Sequence, residues 1–168
     1  MILTGSAIEK ALESGDITIS PYEKSLLRPN SYRYRLGPTL KGFTGLDAQG
    51  NQQFESIPIP PEGYVLEPGI MYLGNTLETI GSSKYAMSLI GKNSMGRRGL
   101  FLQVAANLLH TTSCHQVTLE LVATLPLRLY AGMVIGQVSF WDNLGQLAVV
   151  PSAYSSINEP HESLIKVG

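Results

Sequence analysis

Residues 116–141, QVTLELVATLPLRLYAGMVIGQVSFW, decide the fold of this chain. Gln116–Ala123 and Met133–Trp141 are alternating, β-branched runs, and Arg128–Tyr130 is a shorter run between them. Ala131-Gly132 supplies the turn into the last strand. Working outward, Leu100–Ala105 and Tyr85–Ile90 read as strands. So do Tyr64-Val65-Leu66 and Ile70–Leu73, separated by the turn Glu67-Pro68-Gly69, and Tyr32–Leu36, which stops at Gly37-Pro38. Ile17-Thr18-Ile19 is a further β-branched run before Pro21. Many short strands punctuated by Pro-Gly and Ala-Gly turns predict an all-β sandwich or barrel.

Helix signals are few. Ile8, Ala11 and Leu12 share one helical face near the start, Ser6 and Glu9 have capping-box spacing, and Gly15 stands where such a helix stops. A short helical turn is expected around Ser94–Arg98. Residues 41–60 (KGFTGLDAQGNQQFESIPIP) read as a long loop, and residues 151–168, from Pro151, read as a tail outside the β core. With 168 residues the chain suits one domain, residues 1–168, with its core in 1–150.

Composition narrows the function. Twelve Lys+Arg against thirteen Asp+Glu give a net charge of −1, so overall basicity does not recruit a nucleic acid polymer. One cysteine excludes an internal disulfide and any zinc site needing two thiolates from one chain. No run of about eighteen apolar residues suggests a membrane-spanning helix. The opening MILTGSAIEKALESGD carries acids and no apolar stretch, so a cytoplasmic protein without a signal peptide is expected.

Three clusters carry candidate chemistry. Gly91-Lys92-Asn93-Ser94-Met95-Gly96-Arg97-Arg98-Gly99 gathers cations, an amide, a hydroxyl and glycines between two apolar strands. That set suits an oxyanion, because Arg offers a forked donor pair and glycine lets backbone N–H groups approach closely; a solvated basic turn is the plainer reading. It is not a Walker loop, since no glycine stands five residues before Gly91. Glu120 shares a strand face with Thr118 and Val122. On a solvated face it is a surface acid; facing a pocket or a subunit seam it becomes a proton shuttle. His110-Thr111-Thr112-Ser113-Cys114-His115 suggests a metal or a Cys–His pair, but adjacent Cys114 and His115 rarely hold one ion from a strand.

The order KNSMGRRGLFLQVAANLLHTTSCHQVTLELVATLPLRLYAGMVIGQVSF, over residues 92–140, resembles the dCTP deaminase branch of the trimeric dUTPase-like family. That pattern is Arg-Ser-Ser-x-x-Arg, Gly-Leu and a strand, a loop with Ala and Asp-Pro-Gly, a Leu-Glu strand, and Leu-x-Pro-Gly-Met-x-Ile-Gly-x-x-Ser-Phe, matched at its end by Gly132–Phe140. The opening MILTGSAIEKALESGDITISP and the segment RPNSYRYRLG resemble the family's N-terminal helix and its Asn-Ser-Tyr-x-x-Arg-Leu-Gly strand. The resemblance implies a distorted β-barrel or jelly roll of the β-clip kind with a short N-terminal helix. It implies a homotrimer with nucleotide sites between subunits, and deamination of a cytosine nucleotide, dCTP nearest, without zinc.

On that resemblance Glu120 is general base and acid, and Ser94 orients water or base. Arg97, Lys92 and Asn93 fall on the nucleotide-binding motif, and Ala106 on the residue whose backbone reads the pyrimidine. His110 falls on the partner of the deoxyribose, and Tyr154 is the tail's aromatic. No cofactor is needed for the chemistry, and Mg²⁺ accompanies a triphosphate as counter-ion. The chain departs from the pattern at Lys92 and Asn93 (for Arg and Ser), Leu108 (for Arg), His110 (for Asp) and Thr111-Thr112 (for Pro-Gly), and its tail lacks the Gln- and Gly-containing cap. A nucleotide-binding paralogue that has lost turnover or been retuned, or a dUTPase-type nucleoside triphosphate pyrophosphatase, is the alternative.

Overall fold

The computed structural model describes residues 1–103, 106–147, 154 and 157–164. In chain order these form α1 (Gly5–Glu13), β1 (Ile17–Ser20), a 3-10 turn at Lys24–Leu26, β2 (Leu27–Arg28), β3 (Ser31–Arg35), β4 (Thr39–Leu46) and β5 (Gln52–Pro58). There follow β6 (Tyr64–Leu66), β7 (Met71–Ser82), β8 (Ala86–Gly91), α2 (Asn93–Gly96), β9 (Leu100–Leu102) and β10 (Leu108–Leu109). The last strands are β11 (Cys114–Ala123), β12 (Leu127–Leu129) and β13 (Val134–Trp141). The fold is all-β, as expected.

One sheet runs β5-β4-β7-β11-β9, and β1 shares the β4 edge of the long strand β7. A second sheet runs β10-β8-β13-β3-β2, and β12 pairs with β6. Strict alternation on β3 and β11 sends every second side chain inward. Tyr34, Leu36, Leu89, Leu119, Ile135 and Phe140 are among the buried side chains that form one core cluster.

The glycines of the Gly132–Phe140 motif have physical causes. A Cβ at Gly136 would lie 2.1 Å from the Tyr34 ring, so only glycine lets that tyrosine cross the strand. The Tyr34 hydroxyl donates to the Ile90 carbonyl at 3.1 Å, and burial pushes its pKa up, so it stays protonated. Gly132 has φ +75°, the left-handed conformation its turn requires.

Four expectations are corrected. Residues 41–60 are not a loop: β4 and β5 form a hairpin, and Asp47 Oδ1 accepts the N–H groups of Gln49 and Asn51 at its turn. The strand expected over 70–73 runs through β7 to Ser82, twelve residues in all. No capping box forms at Ser6: Thr4 precedes α1, and Glu9 instead pairs with Lys24 at 2.9 Å. The strand expected over Leu100–Ala105 ends at Leu102, and residues 104 and 105 lie outside the described residues.

The tail is likewise not free of the core. Pro151 lies outside the described residues, but residues 157–164 lie along the β4–β7–β11 sheet. Lys41 donates to Glu162 at 2.6 Å, and the Gln116 N–H donates to Asn158 Oδ1 at 3.1 Å. Among the described residues, no helix is long and apolar enough to cross a membrane.

Candidate active site

β11 presents Glu120 half-buried on the face opposite the core, flanked by Thr118 and Val122, because the strand alternates against the buried Val117, Leu119 and Leu121. Across the ladder Glu120 sits opposite Leu73 of β7. Beside it opens a cavity of about 480 Å³ whose lining includes Glu120, Gln103, Ala106, His115, Thr118 and Tyr154. Ile157 and residues 161–163 of the tail also line it, and Phe54, Met71 and Leu73 give it an apolar wall. Among the described residues, the Glu120 carboxylate has no hydrogen bond or ion pair.

The backbone around Glu120 is held tightly. Its N–H donates to Gln103 Oε1 at 2.9 Å, and its carbonyl accepts the Gln103 N–H at 3.3 Å. Gln103 Nε2 also donates to the Ala106 carbonyl at 3.2 Å. His115 is buried, and its Nδ1 has no partner among the described residues. Burial pushes its pKa down, which keeps the imidazole neutral near pH 7.

A second cavity of about 340 Å³ has Lys92, Asn93, Arg97, Phe101 and Leu102 in its lining. It lies between α2 and β9, where the Met95 and Gly96 N–H groups donate to the Lys92 carbonyl and the Arg97 N–H donates to Asn93. Asn93 and Arg97 are exposed, Lys92 half-buried. The two cavities have no lining residue in common.

The sequence candidates therefore divide. Glu120, Ala106 and Tyr154 line one cavity, and Lys92, Asn93 and Arg97 line the other. Ser94 is exposed on α2, and His110 is exposed on the turn before β11; neither lines either cavity. The turn itself is informative. Thr112 has φ +77°, a glycine conformation, at the position where the resemblance places the glycine of Asp-Pro-Gly. Leu108 projects outward at 59% exposure.

Cys114 is exposed while His115 is buried, and no group of three metal-ligating side chains occurs among the described residues. Gln103, Thr118 and residues 157–163 were missed from sequence. Gln103 gave no signal because its role depends on a left-handed backbone and on two partners in distant segments.

A family model described as dCTP deaminase-like matches residues 2–143. A protein named "dCTP deaminase, dUMP-forming" from Leptospira biflexa serovar Patoc is 37% identical over 161 residues, covering 95% of this chain and 92% of the relative. The dCTP deaminase of Rhodopirellula baltica is 36% identical over 168 residues, covering 98% of this chain and 84% of the relative. The crystal structure of the 2'-deoxycytidine 5'-triphosphate deaminase from Agrobacterium tumefaciens is similar in fold, with TM-score 0.68 and 18% identity over 84% of this chain and 48% of that one.

Proposed function

This chain belongs to the dCTP deaminase-like family and is a hydrolytic deaminase of a cytosine nucleotide; we propose that its substrate is dCTP and that Glu120 moves the protons. One observation carries this reading: Glu120 is half-buried beside a cavity of about 480 Å³, its carboxylate unengaged among the described residues, with Ala106 and Tyr154 around it. A cavity of that size suits a nucleoside. The Glu120 carboxylate takes a proton from water, and the hydroxide adds to C4 of the cytosine. The same carboxyl group then delivers the proton to the departing amine, so dCTP and water become dUTP and ammonia.

Phosphate binding is assigned to the second cavity. Lys92 and Arg97 supply the charge, Asn93 an amide, and Ser94 on α2 orients base or water. The cations and the carboxylate line separate cavities, which favours a triphosphate site that takes its cations from a second copy of the chain. This supports sites between subunits, which we take to be those of a homotrimer; action in the cytoplasm is part of the same proposal. Mg²⁺ serves as counter-ion to the triphosphate, and no metal is assigned to the attacking water.

The L. biflexa relative is named for forming dUMP. Here the aspartate position of the resemblance carries His110, which is exposed and outside both cavities. The replacement of that aspartate by histidine is why we propose dUTP as the product released by this chain. Purified protein incubated with dCTP, CTP and dCMP is expected to release ammonia fastest from dCTP, without pyrophosphate. Bound nucleotide with no ammonia from any of the three would overturn the reading and leave a binding module.

A further inference from the structure

Gln103 follows β9 with φ +51°, a left-handed conformation that costs a non-glycine residue about 1–2 kcal/mol. Such strain persists where the surroundings over-determine it, and here three hydrogen bonds do so. The main-chain N–H of Gln103 reaches the Glu120 carbonyl at 3.3 Å, Oε1 accepts the Glu120 N–H at 2.9 Å, and Nε2 donates to the Ala106 carbonyl at 3.2 Å. A carboxamide can accept at one end and donate at the other in this way.

These bonds join two segments that β-sheet pairing leaves unconnected. The β9–β11 ladder pairs Leu102 with Leu121 and goes no further toward Glu120. Ala106 precedes the two-residue strand β10, which pairs with β8 in the other sheet. Gln103 thus ties the strand that carries Glu120 to the loop that carries Ala106, and it lines the cavity between them. The Ala106 carbonyl keeps a second lone pair for a ligand.

We propose that Gln103 is a positioning residue, setting the distance between the Glu120 carboxylate and the backbone at Ala106 against which the pyrimidine rests. The inference rests on the reading of Glu120 as the proton carrier. A displacement of about 1 Å between a reacting group and its substrate costs roughly a hundredfold in rate. Gln103→Met keeps the length of the side chain and removes both side-chain bonds. It is expected to lower kcat about 10- to 100-fold while KM for dCTP changes by less than about threefold. Gln103→Glu keeps an acceptor for the Glu120 N–H and is expected to recover part of the lost kcat, a rescue that a merely structural role would not give.

Thermal melts of both variants verify that they fold, and Glu120→Gln is assayed beside them. An inactive Glu120→Gln together with an unaltered kcat in Gln103→Met would overturn the positioning role alone. A Glu120→Gln enzyme that still deaminates would overturn the reading of Glu120 and the role of Gln103 with it.

Discussion

Two glutamates on adjacent strands of one sheet have opposite fates. Glu78 of β7 is fully buried and accepts from Arg35 twice, from the main-chain N–H at 2.9 Å and from Nε at 2.7 Å, while Arg35 also pairs with Glu23. Glu120 of β11 is half-buried beside a cavity, with a carboxylate that makes no hydrogen bond or ion pair among the described residues. The first carboxylate is committed to holding β3 against β7. The second has no partner to give up before it meets water or a substrate, which is what a general base requires. Burial with a partner fits a structural acid, and partial burial beside a cavity without a partner fits the proton carrier we propose.

The largest expected effect probes the Glu120 side of this contrast. Glu120→Gln and Arg97→Ala should each lose about 10²- to 10⁴-fold in deamination rate. If the carboxylate and the cation meet across subunits, unfolding and refolding the two inactive variants together restores activity in the mixed assemblies. Activity that stays at the level of the separate variants would show that both groups serve a site within one chain.

Glu78→Gln breaks the other side. It removes one of the two carboxylates that pair with the half-buried Arg35 guanidinium, Glu23 remaining, a loss of about 1–3 kcal/mol. For a chain of this size that lowers the melting temperature by roughly 2–12 °C. A calorimetric scan is the measurement, and a melting temperature unchanged from the parent would remove the distinction between the two acids.

Smaller effects sharpen the comparison. Thr112→Gly relieves a β-branched residue held at φ +77° in the turn leading into β11, and should stabilise the fold by about 0.5–1 kcal/mol in denaturant titration. Lys41→Met removes the ion pair that ties Glu162 of the tail to β4. The hydrogen bond from Lys41 holds the Glu162 carboxyl below the usual carboxylate range. A lowered carboxylate pKa stabilises the fold above its unfolded value and loses that contribution as pH falls through the folded value. Because Glu162 is 40% exposed, the difference between parent and Lys41→Met at pH 7 should be below about 1 kcal/mol. It should disappear in acid, as paired urea titrations at neutral pH and near pH 3 would record.

Much of the frame was legible in residue order. Alternation in 116–123 gave the two faces of β11, and the spacing of Gly132 and Gly136 gave the last turn and strand. The β4–β5 hairpin was not, because β5 is an edge strand with no buried residue, so its side chains carry no apolar period. The second half of β7 was hidden differently. Asn75, Thr76 and Glu78 are polar yet buried, and a reading that equates burial with apolar residues stops at Leu73.

The site followed the same division. Glu120 could be placed on a strand face from its neighbours. The cavity beside it could not, since its lining comes from β5, β7, β11, Gln103, Ala106 and the tail. Separation of Lys92 and Arg97 from Glu120 is likewise a tertiary fact: nothing in the spacing of residues 92–120 reveals that their side chains line different cavities.

The central claim is that the Glu120 carboxyl group carries the proton from water to the leaving amine. Its most direct test sets ammonia release by Glu120→Gln beside calorimetric titration of the same variant with dCTP. The expected result is binding within a few-fold of the parent and a deamination rate lower by about three orders of magnitude. Ammonia release at the parental rate from that variant would contradict the account.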